Sequence, residues 1–181
     1  MKHYLQLATL VTIILAVGCD QQKKEDFLYK FFKGDFDEVG VECGYVNSSG
    51  DTIIASGKYF YCYTDTLKNF AIVLKKDGEC VAIDKNNREL FRVYWFDNGP
   101  DYFADGLLRI IKNGKIGYAN RMGEVVIKPQ FDCAFPFQNG RAKVSFRCNS
   151  VLNGEHRKWE SLHWFYIDKT GKRVDKLSVK N

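Results

Sequence analysis

The stretch KIGYANRMGEVVIKPQFDCAFPFQNGRAKV, Lys115 to Val144, carries three glycines at fixed places. Gly117 and Gly123 flank Tyr118-Ala119-Asn120, and Gly140 follows Phe137 by three residues. Slid along the chain, Tyr118 to Gly123 meets Tyr45 to Gly50, Ala82 to Asn87 and Tyr166 to Gly171. The Asx residues 47, 84, 120 and 168 are spaced 37, 36 and 48 apart. Such self-similarity is the signature of a repeat architecture. The long last interval holds an insertion at about 149–162.

The chemistry of this element is local. An Asn or Asp opening a turn accepts the backbone N–H two residues on. Three residues after the Asx stands Gly50, Gly123, Gly171 or, once, Asn87. A type I turn followed by a left-handed residue joins two strands through a bulge, and Gly then Asn tolerate positive φ best. A second turn precedes the first. Asp77-Gly78 and Asn113-Gly114 each lie between apolar runs, six residues before an Asx, and read as hairpins. A third marker is Phe103-x-x-Gly106-x-Leu108 and Phe137-x-x-Gly140-x-Ala142, with Leu67-x-x-Phe70-x-Ile72 as a worn copy.

Each unit thus reads as strand, tight turn, strand, bulged turn, strand, and irregular return. In the third unit the strands are 107–112, 115–119 and 124–127. Pro129 cannot donate to a ladder, so the last strand ends there or lies at an edge. Gly117 permits a close approach on its strand. A single meander cannot bury its apolar face, and stacked neighbours can. The expected fold is all-β: tandem antiparallel meanders of about 36 residues, three full and a partial fourth, in a short solenoid or a partial propeller. A four-stranded blade would need Gln130–Phe135 as its last strand.

These residues resemble the bacterial WG (Trp-Gly) repeat. Gly114-Lys115-Ile116-Gly117-Tyr118-Ala119-Asn120, Gly123, Val126-Ile127-Lys128-Pro129-Gln130-Phe131-Asp132 and Phe137 to Val144 carry the resemblance, which extends over about Cys43 to Val174. The namesake dipeptide positions hold Cys43-Gly44, Cys80-Val81, Ile116-Gly117 and Trp164-Phe165. The resemblance implies an all-β fold, common in secreted or surface proteins, and brings no general catalytic residues.

Outside the repeats, Met1-Lys2-His3 is basic and Tyr4 to Gly18 is apolar with one Gln. The run is shorter than the roughly 20 residues of a membrane span and reads as a signal peptide over 1–18. It ends in LAVGCD, which resembles the lipobox of bacterial lipoproteins, with Ala16 at the usual Leu position and Gly18-Cys19 fitting. That resemblance implies cleavage after Gly18 and a covalent diacylglycerol on Cys19, an anchor held by its acyl chains. No other cofactor and no metal is expected. Residues 19–35 read as a polar, lipid-proximal tether followed by a short helix, because Phe27, Leu28, Phe31 and Phe32 have helical spacing. That helix would cap the first repeat or lie on the membrane. The β domain is placed at 36–181.

The chain has 181 residues, 45% hydrophobic and 15% aromatic, with 3 prolines and a net charge of +5. The charge is mixed along the chain, with no run of five like charges, so nucleic acid is not an expected partner. Beyond Cys19 there are five cysteines and no Cys-x-x-Cys. Cys43 and Cys80 share a core position and read as buried thiols, with pairing between stacked units as the alternative. His156 and His163, with Glu155 and Glu160, sit in or beside the insertion, a poor scaffold for catalysis or a metal. Asp97 and Asp101 read as turn residues. No catalytic triad and no phosphate loop is legible.

Insertions in repeat proteins map to one face, often the binding face. Arg157 and Trp159 are the candidate partner contacts, since Arg and Trp are enriched in hot spots. The expected protein is a non-enzymatic lipoprotein of the bacterial cell envelope, in the outer membrane and facing the periplasm or the surface. It would be held to the membrane by its lipid, with its β-repeat surface binding another macromolecule, a protein or a glycan. The alternatives are a glycan-binding module, an envelope enzyme of unknown type, or a structural cap.

Overall fold

A computed structural model describes residues 26–153 and 156–174, with only the backbone at 153, 156 and 157. The signal peptide at 1–18 and Cys19 lie outside the described residues. Every described element is a strand. Four meanders follow one another, and their pairings are all antiparallel.

The first meander is β1 (Leu28–Phe32), β2 (Cys43–Val46) and β3 (Thr52–Tyr59). Two short strands, β4 (Tyr61–Cys62) and β5 (Thr66–Leu67), lead to the second. It consists of β6 (Ala71–Leu74), β7 (Cys80–Ile83) and β8 (Glu89–Val93). A small ribbon, β9 (Trp95–Phe96) and β10 (Gly99–Pro100), precedes the third meander. That meander is β11 (Leu107–Lys112), β12 (Lys115–Asn120) and β13 (Val125–Phe131). After β14 (Cys133–Ala134), the fourth starts with β15 (Arg141–Ser145). A second ribbon, β16 (Asn149–Asn153) and β17 (His156–Glu160), interrupts it before β18 (Phe165–Asp168) and β19 (Arg173–Val174).

The four Asx turns are built alike. Asn47, Asp84, Asn120 and Asp168 each accept, through Oδ1, the amides two and four residues on. Each turn closes with a left-handed residue: Gly50, Asn87, Gly123 and Gly171 have φ of 88°, 61°, 83° and 85°. Asn87 also accepts the Tyr59 hydroxyl at 2.6 Å, a role glycine could not fill. The two hairpin turns differ. Asn113 and Gly114 both have positive φ, the tight two-residue form. At Asp77-Gly78 only the glycine does, and Lys75 N–H reaches Glu79 O, so that loop holds one residue more. This extra residue shifts the upstream strand. By pairing, Ala71, not Ile72, matches Leu108 and Ala142, so the worn copy of the third marker slides by one. Asp105-Gly106 and Asn139-Gly140 make two further tight turns.

Each unit hands its chain to the next. After its third strand the backbone runs on to pair with the first strand of the following unit: Cys62 with Val73, Val93 with Ile110, and Ala134 with Val144. The expected strand at 130–135 therefore divides, with Phe131 ending β13 and Cys133–Ala134 joining β15. Through β8 and β11 the second and third units share a seven-stranded sheet, while the first and fourth units each form a four-stranded one. The sheets do not close on one another. Three buried clusters run along the units, from Leu28 and Tyr45 at one end to Val144 and Ile167 at the other. Pro129 lies inside β13, an edge strand, at a bulge where no ladder bond is required of it.

Two expectations are corrected. Residues 28–32 form β1, not a helix, and the β domain begins there instead of at 36. Pairing with both β2 and β5 outweighs the helical spacing of its aromatics, because every unit needs a first strand. Cys43 is not a free thiol: it is bonded to Cys62 in the hand-over strand, and Cys133 is bonded to Cys148. Cys80 alone among these five is free and buried, and desolvation pushes its thiol up to about 12.

Candidate partner-binding face

Pairing registers identify one position in the first strand of every unit: Lys30 opposite Tyr45, Ile72 opposite Ala82, Arg109 opposite Tyr118, and Lys143 opposite Tyr166. Three of the four are cations. At each of the last three, the carbonyl takes an amide from the incoming hand-over segment: Tyr63, Tyr94 or Phe135. An aromatic thus sits beside the position every time.

In the third unit the cation is sealed. Arg109 is 2% exposed and pairs bidentately with Asp101, through Nε at 2.9 Å and Nη2 at 2.6 Å. Asp101 also accepts the Arg109 backbone N–H, and Arg109 Nη1 donates to Ala134 O at 3.2 Å. The guanidinium stacks 4.6 Å from the Tyr94 ring and 5.2 Å from Phe96. Asp101 is therefore the internal counter-charge of a buried cation and not a turn residue. A pair so desolvated is sustained by its complete set of hydrogen bonds.

The first unit uses the same plan. Lys30, nearly buried, meets Asp65 at 2.6 Å and also Asp37. Burial pulls its pKa down, but the hydrogen bonds and charges of the two carboxylates outweigh that and hold it above the usual lysine range.

In the fourth unit the position opens outward. Lys143 Nζ lies 4.7 Å from the Trp164 ring and 5.8 Å from Phe135. It borders a hollow of about 650 Å³ walled by the ribbon β16–β17, with Arg147, Lys158, Trp159 and Trp164 around it. Among the described residues no carboxylate is ion-paired with Lys143 or Arg147, and the one acidic side chain on the wall, Glu160, stands 3.9 Å from Lys158.

The ribbon is firmly based. Cys148 ties its foot to Cys133. The Ser145 and Ser161 hydroxyls lie 2.8 Å apart, one donating to the other, and both oxygens lie within hydrogen-bond distance of Arg147 O, to which the remaining proton goes. Trp159 packs edge-on against Tyr94 at 6.1 Å and Phe135 at 5.3 Å. The insertion is thus a braced element and not a loose loop.

Of the residues singled out from sequence, Trp159 lies on the wall of the hollow, half-buried against the third-unit core. Arg157 is on β17 opposite Leu152, and its side chain lies outside the described residues. Cys19 also lies outside them. His163 borders the hollow. Among the described residues no cluster of His, Cys, Asp or Glu is arranged to hold a metal. Sequence reasoning missed Lys143 and the Arg109–Asp101 pair. For Arg109 and Lys143 the signal was a cation directly after the Phe-x-x-Gly-x-apolar marker; for Asp101 no local signal exists.

A known repeat family matches one segment, which begins in the third unit. Residues 116–147 match the WG containing repeat. The match starts in the middle strand of the third unit and runs through the Asx turn, the bulged third strand and the hand-over. It ends at Arg147, so the WG segment includes Lys143 and one edge of the hollow. No curated protein and no solved structure matches the chain.

Proposed function

We propose that this chain is a non-enzymatic lipoprotein of the bacterial cell envelope whose fourth-unit face binds a macromolecular partner. The carrying observation is the open, braced hollow in which Lys143 and Arg147 have no carboxylate partner among the described residues. Charges left unpaired beside aromatic walls are the usual makings of a hot spot. The basic, apolar leader ending in Gly18-Cys19 supports cleavage and lipid attachment at Cys19, and repeats of about 36 residues fit the Asx spacing. Two disulfides suit an oxidising compartment.

The test combines location and contact. In intact cells, protease shaving of the wild type and of Cys19→Ser, beside lysed controls, reads anchoring and side. A Cys19→Ser form that stays with membranes would sink the lipoprotein reading. A photoreactive residue at Lys158, on the wall, is compared with one at Lys128, exposed on β13. A discrete adduct from 158 alone supports the binding face. Equal labelling from both positions, or none from either, refutes it.

A glycan-binding reading is favoured by one separate observation. Trp95, Phe96 and Tyr102 are exposed around the ribbon β9–β10, at 41%, 48% and 57%, and such rings can carry sugar faces. Glycan capture lost on Trp95→Ala, with the 158 adduct unchanged, would favour it.

A further inference from the structure

This inference rests on the proposed binding face and names what enters it. We infer that the hollow is a receptor for a carboxylate side chain on an acidic polypeptide segment, which pairs with Lys143 as Asp101 pairs with Arg109.

Lys30, Arg109 and Lys143 occupy one repeat position. Two of them have carboxylates supplied by their own chain: Asp37 and Asp65 for the first, Asp101 for the second. The third has none among the described residues.

The backbone shows the same vacancy. The N–H at this position bonds to Asp65 O in the first unit, to Thr64 Oγ1 in the second and to Asp101 Oδ2 in the third. In the fourth unit the Lys143 carbonyl takes the Phe135 amide, so its N–H points the same way. The residue that follows there is Pro136, and no acceptor meets this N–H among the described residues. Lys143 borders both this hollow and the adjoining one walled by Phe135 and Pro136, so its ammonium and its N–H offer two points of attachment where the hollows meet, as Arg109 does to Asp101.

Charge supports an anionic occupant. Lys143, Arg147, Lys158 and Arg173 line the hollow or an adjoining one, against Glu160. The internal precedents favour a polypeptide over other anions. Asp65 reaches the cation from backbone beside β1, and Asp101 from backbone beside the hand-over residue Tyr94; both also accept the N–H at that position. Strands β15 and β18 are paired on both sides, so recognition is through side chains and this N–H, not by addition of a strand. The aromatic walls offer Trp159 and Trp164 to rings flanking the carboxylate, as Phe96 flanks Asp101 across Arg109.

The full chain, purified with its anchor in detergent, is titrated with four probes. These are a peptide with repeated Gly-Pro-Asp-Tyr, its Asn counterpart, an oligogalacturonate, and a thymidine oligomer matched in charge. The Lys143 amide resonance is followed by NMR. The Asp peptide is expected to shift it saturably, more weakly at high salt, and the Asn peptide is expected to leave it unmoved. Lys143→Gln should raise Kd at least tenfold and Lys143→Arg should restore it, with thermal melting confirming that both fold. Tighter binding of the oligogalacturonate or the thymidine oligomer overturns the polypeptide assignment. A Kd unchanged in Lys143→Gln overturns the role of Lys143, and no shift with any probe overturns the receptor. The crosslinking comparison uses none of these probes, so the binding-face reading stands or falls separately.

Discussion

The second and third units follow the same path with third strands of different length. From Asx to the hand-over residue the second unit takes 9 residues, Asp84 to Val93, and the third takes 14, Asn120 to Ala134. The difference is a bulge. Between Ile116 and Tyr118 the opposing strand advances from Phe131 to Ile127, so Lys128 to Gln130 fold over Gly117. A Cβ at 117 would lie 2.5 Å from Pro129 N and well inside contact of Ile127 O. The first unit repeats this: Tyr59 to Ile54 spans Gly44, where a Cβ would lie 2.9 Å from Ser56 N. The second unit has Val81 there, and Arg92 and Phe91 pair regularly past it. One missing Cβ therefore decides whether a unit carries the bulge.

The tyrosine beside each of these glycines belongs to the same device. Tyr45 donates to Thr64 O and Tyr118 to Phe135 O, both at 2.7 Å. Each clasps the outgoing chain that the bulge has displaced. The second unit has Ala82 instead, and nothing to clasp.

Gly117→Val should cost more than about 4 kcal/mol, because backbone and not a flexible side chain stands in the way. Val81→Gly should cost about 2–4 kcal/mol, as a cavity plus backbone entropy, and still fold. Denaturant unfolding of the two variants reads the difference, and equal costs would refute the bulge argument.

Asp101→Ala comes next, at about 3–5 kcal/mol, because it strands the Arg109 guanidinium in the core. Glu160→Ala, on the wall of the open hollow in the fourth unit, should change stability by less than about 0.5 kcal/mol.

The two disulfides close loops of similar separation, 19 and 15 residues. Replacing either pair with serine should cost about 3 kcal/mol. Only the loss of Cys133–Cys148 should increase amide exchange in β16–β17, since it alone ties the ribbon's foot.

The smallest effect concerns the Asx turns, two with Asn and two with Asp. At Asp84 burial pushes the carboxyl up, but the Arg88 and Asn86 amides and the Arg88 charge pull it down further, and it ends below the usual range. Asp168 is also lowered, by Thr170 first. A lowered folded pKa means that the contribution is present above the unfolded value of about 3.9 and fades as pH falls through the folded one. Asp84→Asn should keep the turn, as Asn47 and Asn120 do, and flatten the decline of Tm below about pH 4. An unchanged slope would mean that this carboxylate is not held by its turn.

Much of the fold could be read in advance. The four Asx turns, the left-handed residue at Asn87, the close approach at Gly117 and the edge position of Pro129 all follow from local backbone rules, which act within a few residues. β1 was misread because its aromatics satisfy a helical period, and only pairing with β2 settles the choice. The site was less legible. Trp159 was singled out for its type and place in an insertion, and it does line the hollow. Arg109 and Lys143 were not, although the Phe-x-x-Gly marker already aligns them, and Asp101 read as a turn residue because nothing local shows that it folds back onto a cation eight positions on.

By itself, then, the sequence determined the alternation of turns and strands, the repeat and its family resemblance, since these depend on φ, on side-chain capping and on apolar periodicity. The tertiary structure alone decided which cysteines meet and how each unit hands its last strand to the next. It also decided which of three equivalent cations is left facing outward. Those outcomes depend on residues 8 to 35 positions apart being brought within a few ångströms, a distance over which no local rule operates.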